Sequence, residues 1–104
     1  MQLLEYVYNG RNNVIDLDLT SRGTSITIDE YSAITRVQVL VGSTLIDSNV
    51  HPEFFDLSAT DHITLKFGVA NLSAGRYAAT LIVFDAAHTL GLVWGAMVIE
   101  VLSL

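Results

Sequence analysis

The 104-residue chain has no cysteine, one proline and one tryptophan. Without thiols, structural disulfides, thiol catalysis and zinc–thiolate sites are excluded. Positive charge is scarce as well. Arg11, Arg22, Arg36, Lys66 and Arg76 stand singly along a chain of net charge −6. Nucleic-acid binding needs clustered cations to displace phosphate counterions, and a membrane-surface helix needs a Lys/Arg-rich polar face. Neither nucleic acid nor membrane is therefore an expected partner. Long apolar runs are also missing. The longest, Leu92 to Ile99, stops at Glu100, well short of the ~20 residues that a membrane-spanning helix requires. The opening Met-Gln-Leu-Leu-Glu-Tyr-Val-Tyr lacks the positive n-region and apolar h-region of a signal peptide. Helical periodicity is almost absent.

What remains is apolar and alternating. Hydrophobic residues make up 51% of the chain and charged residues 15%, against roughly 25% charged in ordinary soluble domains. That balance excludes intrinsic disorder, and the length predicts a single domain over residues 1–104 with a core of its own. In His62 to Val69, Ile63, Leu65, Phe67 and Val69 alternate with His62, Thr64, Lys66 and Gly68, the pattern of a half-buried strand. Asn13 to Leu19 reads likewise, with Ile15, Leu17 and Leu19 inward. A short strand is expected over Thr24 to Ile28. Ala33 to Val41 and Thr44 to Asp47 flank Gly42-Ser43, which suits a two-residue type II′ hairpin turn pairing Val39 with Ile46 and Gln38 with Asp47. Ser48 to Asp61 holds Pro52 and reads as a loop, with a short edge strand at Phe54 to Leu57.

The last third carries the strongest signal. Arg76 to Asp85 and Leu92 to Leu102 are long, rich in β-branched and aromatic residues, and joined by a loop. Placing Phe84 opposite Leu92 sets Ile82 against Trp94, Thr80 against Ala96, Ala78 against Val98 and Arg76 against Glu100, the last pair of opposite charge. Tyr77, Ala79, Leu81 and Val83, with Val93, Met97, Ile99 and Val101, then form the core face. The opposite face holds Ile82, Phe84, Leu92, Trp94 and Val98. Exposed apolar patches of that kind mark interfaces, and these five residues are the expected contact surface. A loop such as Ser48 to Asp61 folding over them is the alternative, but the scarcity of charge favours an interface. With seven or eight short strands separated by turns, the fold class is all-β, an antiparallel β-sandwich.

Leu72-Ser-Ala-Gly-Arg-Tyr77, ahead of a long apolar strand, resembles the approach to the tyrosine corner of immunoglobulin-like sandwiches, in which a tyrosine hydroxyl bonds nearby backbone. The absence of cysteine excludes an antibody-type domain and leaves the wider immunoglobulin-like class. Gly75, Tyr77, Asp85 and Gly91 also match the ending of the small immunoglobulin-like accessory proteins of tailed bacteriophages and prophages, over roughly the last third of the chain. That resemblance implies a virion component of head or tail, located in the virion or the host cytoplasm.

Other chemistry is thinly represented. His51, His62 and His88 lack metal-ligand spacing. Asp16, Asp18, Asp29 and Glu30 are the densest acidic cluster, but without the glycine-centred loop of a dedicated calcium site they read as a solvated face. No metal and no cofactor is expected. Val41-Gly-Ser43 is not a nucleophile elbow and no phosphate loop is present, so the chain is not expected to be an enzyme. Two functions follow as expectations. The first is a structural protein that forms a homo-oligomer or joins a larger protein assembly. The second is a carbohydrate- or protein-binding module acting through end loops, with His51, Phe54, Phe55 and His88 as its residues. A small-molecule ligand is not the expected partner.

Overall fold

The computed structural model describes residues 3–17, 34–58, 62–86 and 88–103. Eight strands are seen: β1 (Leu3–Tyr8), β2 (Ile15–Leu17), β3 (Ile34–Val41), β4 (Thr44–Asp47), β5 (Phe55–Asp56), β6 (Ile63–Leu65), β7 (Gly75–Asp85) and β8 (Leu92–Leu102). They form a five-stranded sheet, β1-β8-β7-β3-β4, and a three-stranded sheet, β2-β6-β5. The architecture is the all-β, two-sheet sandwich expected from the sequence. Leu17, Ile63 and Leu65 of one sheet share the core with Val37, Val39, Leu81, Met97 and Ile99 of the other, each almost wholly buried.

The β3–β4 hairpin has the expected register, Val41 with Thr44, Val39 with Ile46 and Gln38 with Asp47. Gly42 sits at φ +60 while Ser43 avoids positive φ, the combination of a type II′ turn. The tyrosine corner also forms. The Tyr77 hydroxyl donates to the Ser73 carbonyl at 2.7 Å. Two residues on, where antibody domains carry a cysteine, is the buried Ala79.

Four features depart from the sequence reading. First, β1 has no counterpart among the expected strands; it pairs with β8, and among the described residues that pair alone is parallel. Its pattern is inverted at one position, with Glu5 in the row of the buried Ile99 while Leu4 and Tyr6 face outward. Second, β6 ends at Leu65 and the chain turns through a 3-10 helix, Phe67–Val69. Gly68 lies hard against the turn after β1, where a Cβ would collide with the Arg11 carbonyl, and the Gly10 N–H donates to the Gly68 carbonyl at 2.8 Å. That close approach pulls the chain out of the strand, so Phe67 is buried and Val69 is exposed. Third, the Phe54–Leu57 strand shortens to Phe55–Asp56 at the sheet edge, with Phe54 in a 3-10 helix.

The fourth departure is in the C-terminal hairpin. Arg76–Glu100, Ala78–Val98 and Thr80–Ala96 pair as expected, but Ile82 pairs with Val93 and Val83 with Leu92. A β-bulge leaves Trp94 as the extra residue, and its indole is 2% exposed within the core. The slip exchanges neighbours across the sheet. Val93, read as core, is 59% exposed. Burying an indole removes roughly 200 Å² from water, worth about 5 kcal/mol at ~25 cal/mol per Å². That gain outweighs the ~1 kcal/mol net value of a ladder hydrogen bond, so Trp94 takes the core position at the expense of regular pairing. The strand expected over Thr24–Ile28, together with Asp18, Leu19, Arg22, Asp29 and Glu30, lies outside the described residues.

Candidate functional site

The bulge and the register fix what the five-stranded sheet shows to solvent. Cross-strand partners share a face, so the outward rows can be read directly. One row runs Leu45, Leu40, Thr80, Ala96 and a neighbouring one Asp47, Gln38, Ile82, Val93. Towards the other end lie Ala78, Val98, Leu4 and then Arg76, Glu100, Tyr6. Leu4, Tyr6, Leu40, Leu45 and Val93 are each between 38% and 59% exposed. The middle of this face is therefore an apolar band open to water.

Polar groups close the band at both ends, and they are paired among themselves. Arg36 holds Asp47 through Nε, at 2.9 Å to Oδ1, and through Nη2 to Oδ2. Gln38 donates to the same carboxylate at 2.9 Å, as does the Asn49 N–H. The Arg36 hydrogen bond, helped by these donors, holds the Asp47 carboxyl far below the usual carboxylate range. At the far end Arg76 reaches Glu100 at 2.8 Å, beside the stacked rings of Tyr6 and Tyr8.

The expected contact set is only partly on this face. Ile82 and Val98 face outward, half-buried. Phe84 faces outward too, but Arg36 lies over its ring at 5.0 Å and the backbone of Gly91 packs against it, leaving it 8% exposed. The cover is thus Arg36 and the hairpin's own loop at Gly91. Leu92 and Trp94 turn to the core side because of the bulge. The residues that sequence reasoning missed are Leu4, Tyr6, Leu40, Leu45 and Val93. Leu40 and Leu45 could have been found by extending the β3–β4 register to its outward positions.

No protein-family model matches this sequence, and no curated protein matches it either. Function must be read from the surface itself.

The end-loop residues do not converge. Phe55 is buried, edge-on to Phe67 at 5.7 Å, which corrects its reading as a ligand contact. His51 stacks on the half-buried Phe54 at 5.0 Å and meets Glu53 at 3.2 Å. His88 instead contacts Asp85 at 2.7 Å in the β7–β8 loop, and His62 lies 3.8 Å from Asp16 on the other sheet. Among the described residues, no three His, Asp or Glu side chains are grouped to hold a metal ion, and no helix is long and apolar enough to cross a membrane. Among the described residues, two clefts can be traced on the surface. One of about 280 Å³ brings Asn49 beside Asp85 and Thr89, with neither His51 nor His88 in its lining. A larger one, of about 420 Å³, lies where the turn after β1 meets the two 3-10 helices, and Arg11 and Lys66 line it.

Proposed function

We propose that this protein is a non-enzymatic structural component that assembles through the outer face of its five-stranded sheet, with a second copy of itself as the first partner. The observation that carries the reading is the exposed apolar band framed by self-paired ions, which has the anatomy of an interface with an apolar centre and a polar rim. Five strands at ~4.8 Å spacing, averaging 8 residues at ~3.3 Å rise, give a face on the order of 600 Å². A standard complex buries ~800 Å² per partner. Charge supports a second copy. The chain carries −6 overall, yet Arg36 with Asp47 and Arg76 with Glu100 cancel on this face, so two copies meet there without net repulsion. The resemblance of the C-terminal third to phage accessory proteins makes a virion component of head or tail the setting that fits such an assembly unit.

The test is solution mass. Sedimentation equilibrium on the native chain is expected to show a reversible dimer or larger species. The double variant L40E/V93E is expected to be a folded monomer. A native chain that stays monomeric at millimolar concentration, or a double variant of unchanged mass, overturns the proposal.

A further inference from the structure

The 420 Å³ cleft is built from three segments held together through backbone contacts. The turn after β1 is tied to the second 3-10 helix by the Gly10 N–H on the Gly68 carbonyl and by the close seat of Gly68 under the Arg11 carbonyl. Lys66 precedes that helix, and its N–H donates to the Phe54 carbonyl at 2.8 Å, which ties in the first helix and Glu53. Side chains at Arg11, Asn12 and Lys66 thus project from a fixed frame.

Their charges are unusual for this molecule. The sequence has five basic residues and eleven acidic ones. Among the described residues, Arg36 is occupied by Asp47 and Arg76 by Glu100, while neither Arg11 nor Lys66 has an ion-pair partner within 4.0 Å, Lys66 acting on Asp56 only at longer range. These two unpaired cations line the same cleft. The acid there, Glu53, has its Oε1 engaged by His51. A guanidinium offers a planar fork to a carboxylate or phosphate, and an ammonium adds a point charge. The amides of Asn12 and Asn13 supply both donors and acceptors, which suits hydroxyl groups, and Val14 and Val69 are exposed apolar walls. The volume falls within the ~300–1,000 Å³ range of small-ligand sites.

We infer that this cleft binds a small anionic ligand, a carboxylate or phosphate carried on a hydroxylated body such as an acidic sugar, with Arg11 and Lys66 as the anion contacts. None of these residues lies on the outer face of the five-stranded sheet, so this site stands or falls independently of the assembly proposal.

The experiment is a titration of the ¹⁵N-labelled full chain with glucuronate, glucose 6-phosphate and glucose. The two anions separate carboxylate from phosphate as the preferred group, and either one binding supports the inference. The amides of Arg11–Val14 and Lys66–Val69 are expected to shift with at least one anion, with affinity falling about tenfold between low and high salt as screening grows. The R11Q/K66Q variant is expected to lose the response while its other resonances stay in place. Glucose should give no shift in this region. Absence of any shift with both anions, an equal response to glucose, or retained binding in R11Q/K66Q overturns it.

Discussion

On the three-stranded sheet the solvent-facing row runs Asp16, Thr64, Asp56, with the Thr64 hydroxyl donating to Asp16 at 2.7 Å. On the five-stranded sheet a central row in the same orientation runs Leu45, Leu40, Thr80, Ala96. Both sheets pack their other faces into one core. The apolar band is therefore not a diffuse result of a 51% hydrophobic composition. One sheet turns a polar row to water, and the other turns an apolar one. The carboxylates repeat the contrast. Asp56 is satisfied by its neighbour Ser58 at an exposed edge, whereas Asp47 is 6% exposed and held by four donors' worth of local structure.

The strongest way to break this comparison is at Trp94, which decides which side of the sheet holds the largest apolar group. Trp94→Ala is expected to cost about 3–5 kcal/mol in urea unfolding, the range for emptying an aromatic site in a core. A small loss accompanied by a change in mass would instead put the indole on the outer face. Next in size is the contrast between the faces. L40E/V93E should weaken association at least about a hundredfold, or ~2.7 kcal/mol, while Thr64→Glu on the other sheet should leave the mass unchanged.

Asp47 tests the polar rim. Its folded pKa is depressed, so the unfolded chain takes up a proton more readily. The stabilisation is present above the unfolded value near ~3.9 and is lost as pH falls below it. Asp47→Asn should lower stability at pH 7 by roughly 2 kcal/mol and remove much of the loss seen in the native chain on acidification. Glu5 should act in the opposite direction with the smallest effect. Burial first, and then the charge of Asp16, raise its pKa, so its ionised form opposes folding at neutral pH. That penalty is relieved as pH falls through the raised value. Glu5→Gln is expected to gain roughly a few tenths of a kcal/mol at pH 7, the small size reflecting solvent screening. Urea midpoints at pH 7 and pH 5 measure it, and a loss at pH 7 would contradict the assignment.

Legibility followed the strength of local patterning. The β3–β4 hairpin was readable because glycine at the first turn position and polarity at Gln38 and Asp47 agree on one register. The tyrosine corner was readable from Leu72 to Tyr77 because its hydrogen bond closes over four residues. Strand β1 was not, since its order depends on a partner more than ninety residues away and its inward Glu5 breaks the alternation. The bulge at Trp94 was hidden for a related reason. Both registers satisfy the alternation locally, and only the demand of the whole core for the indole selects one. A shift of one residue there turns Trp94 inward and Val93 outward, the reverse of the expected placing. The expectation of an apolar outer surface rested on Ile82, Phe84, Leu92, Trp94 and Val98; Ile82 and Val98 do face outward, but the exposed side chains of the band are Leu4, Tyr6, Leu40, Leu45 and Val93.

The parallel pairing of β1 with β8 also has a mechanical meaning. Leu3 lies beside Met97 and Tyr8 beside Leu102, so both strands run the same way. Tension applied through the residues before Leu3 and those after Leu102 pulls the two strands past each other along their length. The ladder hydrogen bonds, evenly spaced and slanted between the two strands, share the force and must yield together instead of one at a time. A hairpin pulled at its open end would unzip bond by bond. This domain, held by its first and last strands, is loaded in shear.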